Sequence, residues 1–148
     1  MSDANGRRGP ASLIDLDSTF LPVGQMRQIS RVTHVNGSHI AGELDLGPGH
    51  WVYPQHFPGD PIFPGTLMIE AAGQLVALWA WAHGERGKPR LVRANADFKN
   101  PVGPAESTLS VCGEVIRKRH LHFAQVNLSA AGQEIACIEL VIAIVTPD

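Results

Sequence analysis

One stretch, from Thr66 to about His83, most constrains how this chain can fold. It contains no proline and a single glycine, and apolar residues occupy nearly every face that a helix there would have. A helix that is hydrophobic all round has to be buried in a core rather than laid on a surface. The sequence therefore predicts one buried central helix that the rest of the chain must cover.

Alternating apolar residues on both sides of this helix predict β-strands. Before it, residues 26–35 and 39–46 alternate around Asn36-Gly37, a pair typical of a tight hairpin because both residues tolerate positive φ. After it, residues 92–98, 109–115 and 122–128 alternate, and the apolar run 140–145 predicts a strand buried on both faces. We therefore predict an α+β domain in which a curved antiparallel sheet wraps around one long central helix.

The composition fits one globular domain and argues against several partners. The 148 residues are 44% hydrophobic and 18% charged, and their net charge of −2 gives no reason to expect nucleic acid or an anionic membrane. The longest apolar run, from Leu75 to Ala82, is too short to span a membrane, and the polar N-terminus has no signal-peptide pattern. We expect a cytoplasmic protein with a flexible tail over residues 1–12 and one domain over residues 13–148.

The residues best suited to chemistry lie in the loop before the helix and in the first turns of the helix itself. His56 lies in a segment, residues 47–64, that contains five prolines and three glycines, and Glu70 follows in the second turn of the helix. Histidine exchanges a proton near neutral pH, and a carboxylate among apolar neighbours needs a partner or a function. Gly65 lets a substrate oxygen approach the unpaired N–H groups at the helix start closely.

These groups are suited to acid–base catalysis on a carbonyl compound. Because fourteen positions separate His56 from Glu70, either the loop folds back over the helix or a second copy of the chain supplies one of them. The alternative to a catalytic site is that His56 is a solvated loop residue and Glu70 an ordinary surface residue. A metal site is not expected, since no His-Glu-x-x-His or Cys-x-x-Cys spacing occurs here.

Residues 56–74, HFPGDPIFPGTLMIEAAGQ, closely resemble the active-site motif of the bacterial 3-hydroxyacyl-acyl-carrier-protein dehydratases of fatty-acid synthesis. A second block, residues 98–104 (FKNPVGP), is similar to the next signature of that family, and the resemblance covers roughly residues 21–145. It implies the hot-dog fold, in which two chains pair their sheets as a homodimer and dimers often assemble into hexamers.

The resemblance also implies a reaction, the dehydration of (3R)-3-hydroxyacyl-acyl-carrier-protein thioesters to trans-2-enoyl thioesters without a cofactor. His56 would remove the α-proton, Glu70 of the other subunit would protonate the departing hydroxyl, and the Gly65 N–H would polarise the thioester carbonyl. An acyl chain needs an apolar tunnel, and an acidic carrier protein is expected to meet basic residues. The residues expected to bind the substrate are Phe57, Phe63, Met68, Gln74, Phe98 and Val102, and those expected to dock the carrier are Arg93 and Lys99.

The N-terminal part of the resemblance departs from the family pattern. Where the family usually has Leu-Pro-His-Arg, this chain has Leu21-Pro22-Val23-Gly24, and Arg27-Gln28-Ile29-Ser30 replaces the apolar-acidic run that follows. A specialised route such as polyketide assembly is therefore an alternative to fatty-acid synthesis. Glutamate at position 70, where the dehydratase-isomerase relatives carry aspartate, favours simple dehydration. Thioester hydrolysis on the same fold and a non-catalytic acyl-binding subunit are the rival functions.

Overall fold

Residues 11–146 fold as a six-stranded antiparallel sheet curved around one helix. The computed structural model describes residues 11–146. The helix α1 comprises Gly65–Ala82, and two short 3-10 turns, Leu16–Ser18 and Gly24–Met26, precede the first strand. The strands are β1 (Arg31–Val35), β2 (His39–Asp45), β3 (Lys88–Phe98), β4 (Thr108–Lys118), β5 (Leu121–Ala130) and β6 (Gln133–Val145).

The helix α1 contacts strands β2 to β6, and the order of the strands leaves two open edges. Neighbouring strands run antiparallel in the order β1-β2-β4-β5-β6-β3, so β1 and β3 are the edges. The helix packs on the inner face, where Leu75 and Leu78 are fully buried with inward residues of the strands such as Val126. The hairpin around Asn36-Gly37 and the central helix are confirmed, the helix beginning and ending one residue earlier than predicted.

One prediction about the sheet was wrong. In the run 140–145, Leu140 and Ile142 point into the core, whereas Val141 is only half-buried and Val145 is 45% exposed. Side chains of a strand alternate between faces, so an apolar run is buried on both faces only where a second layer covers the outer one. Within residues 11–146 the outer face of this sheet carries no such layer.

The N-terminal segment is described in part. The predicted tail lies outside the described residues except for Ala11 and Ser12, and the Ser12 hydroxyl accepts a hydrogen bond from the Val32 N–H at 2.9 Å. No helix within residues 11–146 is long and apolar enough to cross a membrane.

Candidate active site

The loop before α1 holds the imidazole of His56 in one orientation. The His56 N–H donates to the Val52 carbonyl at 2.9 Å, and the His56 carbonyl accepts from the Ile62 N–H at 2.8 Å. The half-buried ring stacks on Phe57 at 4.2 Å, and its Nδ1 lies 3.0 Å from the Ile62 carbonyl oxygen. Because a carbonyl can only accept, Nδ1 carries the hydrogen, which leaves Nε2 with the basic lone pair.

An aromatic cluster beneath this loop gives it a core of its own. The His50 ring meets the rings of Tyr53 and Phe63 edge-on, at 5.8 and 5.6 Å between centroids. Burial lowers the pKa of His50 below its ordinary value, and burial together with the charge of Glu106 raises the pKa of Tyr53. The cluster explains how a segment without regular secondary structure holds His56 in place.

The first residue of α1, Gly65, lies directly under an aromatic ring. A Cβ at this position would lie 2.8 Å from the Phe98 ring, closer than carbon atoms pack, so only glycine fits without a shift. The helix has no side-chain cap, and within the described residues the N–H groups of Gly65 and Thr66 donate to no partner, whereas those of Leu67 and Met68 reach the Pro64 carbonyl. The helix entrance therefore offers free donors to an anionic or carbonyl oxygen.

An open groove of about 470 Å³ begins at this helix entrance. Its apolar walls include Phe63 and Met68, which are nearly fully buried, and Phe98, which is 51% exposed. Of the other residues expected at the substrate, Phe57 lies against His56 outside the groove, and Val102 is fully buried with its carbonyl accepting from the Phe63 N–H. The residues that line the groove are Ile62, Phe63, Gly65, Thr66, Met68, Phe98, Lys99, Asn100 and Pro101.

Glu70 lies half-buried in the second turn of α1, one helical turn before Gln74. Its Oε2 accepts a hydrogen bond from Gln74 Nε2 at 2.8 Å, which is its only hydrogen bond within residues 11–146. Neither Glu70 nor His56 lines the groove, and no hydrogen bond joins the two in the described part of the chain. Within residues 11–146, one chain thus brings Gly65, Phe63, Met68 and Phe98 together in one groove, whereas the two acid–base groups share neither this groove nor a hydrogen bond.

The two basic residues expected to dock a carrier lie in different surroundings. Lys99 borders the groove and donates to the Glu134 carboxylate at 3.1 Å, a hydrogen bond that raises the pKa of Lys99. Arg93 lies on the outer face of the sheet, opposite Val141 of β6. Only Lys99 is therefore next to the groove.

Sequence reasoning missed two polar contacts that cross the fold. Gln28, in the segment before β1, donates its backbone N–H to Gln74 Oε1 at 2.8 Å. At the far end of α1, the fully buried His122 is hydrogen-bonded through Nε2 to the Glu85 carboxylate, and its Nδ1 has no partner among the described residues. The strand alternation does place His122 inside, but no local pattern indicates either partner.

Comparison with known proteins gives one family match and several similar solved structures. A family model described as FabA-like domain matches residues 21–139. Among solved structures, the chain is similar to the dehydratase heterocomplex ApeI:P from Xenorhabdus doucetiae, with a TM-score of 0.71 and 17% identity over 88% of this chain and 90% of that one. It is also similar to AziG from S. sahachiroi, with a TM-score of 0.58 and 15% identity over 79% of this chain and 91% of that one.

Another similar structure is named as a thioesterase rather than as a dehydratase. A hypothetical thioesterase with coenzyme A from Streptococcus pneumoniae matches with a TM-score of 0.60 and 9% identity over 78% of this chain and 85% of that one. At such identities the likeness shows the fold alone. Together with the six-stranded sheet around a single helix in residues 11–146, it shows the predicted hot-dog fold.

Proposed function

Because the chain belongs to the FabA-like domain family, we propose that it dehydrates (3R)-3-hydroxyacyl-acyl-carrier-protein thioesters to trans-2-enoyl thioesters, in fatty-acid or polyketide-type synthesis. The observation that carries this proposal is the hydrogen bond from His56 Nδ1 to the Ile62 carbonyl, which leaves Nε2 as a base. The N–H groups at the start of α1, which donate to no partner in the described part of the chain, support it as a binding site for the thioester oxygen.

In the proposed reaction, His56 Nε2 takes a proton from the carbon next to the thioester. The electron pair of that C–H bond forms the carbon–carbon double bond, and the bond from the next carbon to its hydroxyl breaks. Glu70 gives a proton to the departing hydroxyl, which leaves as water, and the Gly65 N–H stabilises the negative charge that develops on the thioester oxygen. The apolar groove beside Gly65 is suited to the acyl or pantetheine chain.

We extend the proposal to a homodimer in which His56 and Glu70 come from different subunits. The edge strand β3 leaves Leu91 and Val92 more than half exposed, at 56% and 58%. An exposed apolar edge strand is a template for pairing with another chain. Pairing of β3 with β3 of a second copy would remove this edge and give each site access to both subunits; assembly of such dimers into hexamers stays a prediction.

The first experiment is incubation with a 3-hydroxyacyl thioester while enoyl thioester and free thiol are both measured. We expect enoyl product without free thiol, and we expect His56→Ala and Glu70→Gln each to lower kcat by several orders of magnitude, roughly as loss of a triad member does. Free thiol without enoyl product would refute dehydration in favour of a thioesterase. Neither product, with carrier-bound substrates as well, would favour a non-catalytic acyl-binding subunit.

Mixing the two inactive variants tests whether the site is built across subunits. After complete exchange, half of the dimers are mixed, and each mixed dimer has one intact site, so about a quarter of wild-type activity should return. The control is each variant exchanged with itself, which should stay inactive. No recovery despite exchange proven by mass labels would show that one chain supplies both groups.

Charge reversal tests the carrier-docking residues. Lys99→Glu and Arg93→Glu should raise KM for the carrier-bound substrate far more than KM for a small thioester, because only the carrier brings an acidic surface. Glu134→Gln is the matched control for Lys99, since it releases the lysine without reversing its charge. Equal effects on both substrates would refute docking at these positions.

A further inference from the structure

A continuous set of hydrogen bonds connects the Glu70 carboxylate to the segment before β1. The Gln74 side chain, only 2% exposed, accepts at Oε1 from the backbone N–H groups of Gln28 at 2.8 Å and Ile29 at 3.3 Å. Its Nε2 donates to the Met26 carbonyl and to Glu70 Oε2, both at 2.8 Å. Both donors and both acceptor positions of the amide are therefore used.

This arrangement fixes which end of the Gln74 amide faces Glu70. A backbone N–H can only donate, so the oxygen of Gln74 has to face Gln28 and Ile29, and the NH₂ group has to face the carboxylate. Oε2 of Glu70 is consequently an acceptor. When Glu70 is protonated, its hydrogen belongs on Oε1, which is the oxygen left free to meet a substrate hydroxyl.

Gln28 holds the other end of this set of bonds in place. Its side chain is buried and donates through Nε2 to the carbonyls of Gln25 at 3.0 Å and Met26 at 3.2 Å. These bonds close the short turn Gly24–Met26 and fix both the Met26 carbonyl and the Gln28 N–H that Gln74 uses. This is also the stretch in which the chain departs from the dehydratase pattern.

We propose that Gln28 is a positioning residue for the acid of the reaction, acting on Glu70 through Gln74. This role for Gln28 rests on the proposed function in one respect, namely that Glu70 supplies the proton to the departing hydroxyl. Gln28 touches neither Glu70 nor the groove; it sets the direction of the Gln74 amide and so keeps the proton of Glu70 on Oε1.

The test is Gln28→Met, which keeps the volume of the side chain and removes its amide donor. We expect kcat to fall about tenfold to a hundredfold, as displaced catalytic groups do, while KM for a small thioester and the melting temperature change little. Hydrogen exchange of the Gln74 side-chain amide, followed by NMR without substrate, should become faster. Asp17→Asn is the matched control, because it removes only the exposed ion pair of the same segment with Arg27 and should change none of these quantities.

The outcomes separate this proposal from the proposed function. A kcat within twofold of wild type, or an unchanged exchange rate for the Gln74 amide, would overturn the role of Gln28. If the wild type dehydrates nothing, faster exchange in Gln28→Met still supports the link to Gln74 while the proposed function fails. Should Gln28→Met not fold, Gln74→Glu keeps the volume and the acceptor but loses the paired donors; it should lower kcat at least as much, and a normal kcat there would overturn the proposal.

Discussion

The substitution Gly65→Ala adds one methyl group at the helix entrance. It should change catalysis far more than the free energy of unfolding. The new Cβ would lie 2.8–3.1 Å from three atoms of the Phe98 ring. Contact distances between carbon atoms are about 3.5–4.0 Å, so the ring has to retreat by about 0.7 Å. Because Phe98 is 51% exposed, it can do so by leaving its rotamer, which costs about 0.5–1.5 kcal/mol. Alanine regains up to about 1 kcal/mol through its helix propensity, so the net change in the free energy of unfolding should stay within about 1.5 kcal/mol.

Activity should respond quite differently to the same substitution. The methyl group would occupy the space through which a thioester oxygen reaches the Gly65 N–H, and loss of one such donor lowers kcat by about 10²–10³. Urea unfolding and the enoyl-forming assay, run on the same preparation, measure the two quantities. Gly73→Ala is the control for propensity, since a Cβ there meets no atom of residues 11–146 within 4 Å outside its own stretch of helix backbone and should stabilise the helix by about 0.5–1 kcal/mol.

The double variant Gly65→Ala/Phe98→Leu decides how the methyl group acts. It should remain inactive, because the smaller side chain relieves the crowding but leaves the methyl group beside the N–H. Full activity in the double variant, or near-normal turnover in Gly65→Ala alone, would refute the role of the Gly65 N–H. A loss of stability above about 2 kcal/mol in Gly65→Ala would show that the Phe98 ring is not free to move.

Two further predictions concern groups outside the reaction. His50→Asn, which keeps an acceptor for the Val52 N–H, should flatten the pH dependence of the free energy of unfolding. Because the pKa of His50 is lower in the folded state than its ordinary value of 6.5, the unfolded state binds more protons below pH 6.5. Wild-type stability is therefore complete above pH 6.5 and is lost as the pH falls toward the folded-state pKa. Urea midpoints of both proteins between about pH 5 and 7 check this, and parallel curves would contradict it. Glu85→Ala should lower the free energy of unfolding by about 1–3 kcal/mol because it leaves the buried His122 Nε2 without its hydrogen-bond partner, and adding His122→Leu should recover part of that loss. No recovery in the double variant would mean that lost packing, not the unpaired imidazole, causes the effect.

Local patterns predicted the helix and the strands of this fold because each kind of element has its own spacing of apolar residues along the sequence. The alternation in residues 122–128 and the unbroken helical stretch from Thr66 could be recognised without knowledge of distant residues. Hydrogen bonds between distant positions have no such signal: Gln28 and Gln74 are 46 positions apart, and Glu85 and His122 are 37 apart. The proposed site residues His56, Gly65 and Glu70 were predictable because one motif contains all three. The hydrogen bonds from Gln28 to Gln74 and from Gln74 to Glu70 involve another segment, and no local pattern indicates them.

The two ends of α1 carry different kinds of polar contact, and the difference has a physical reason. At the first residue, Gly65, the backbone N–H donates to no partner within residues 11–146, and the half-exposed Phe98 ring lies against the glycine, so this end gains little stability from hydrogen bonds. Beyond the last turn, the Glu85 carboxylate accepts from His122 and lies 3.4 Å from Arg117, which ties the end of the helix to β4 and β5. Substitutions at the Glu85 end should therefore change the free energy of unfolding more than turnover, and substitutions at the Gly65 end should change turnover more than the free energy of unfolding. A survey that found both quantities falling together at both ends would contradict this separation.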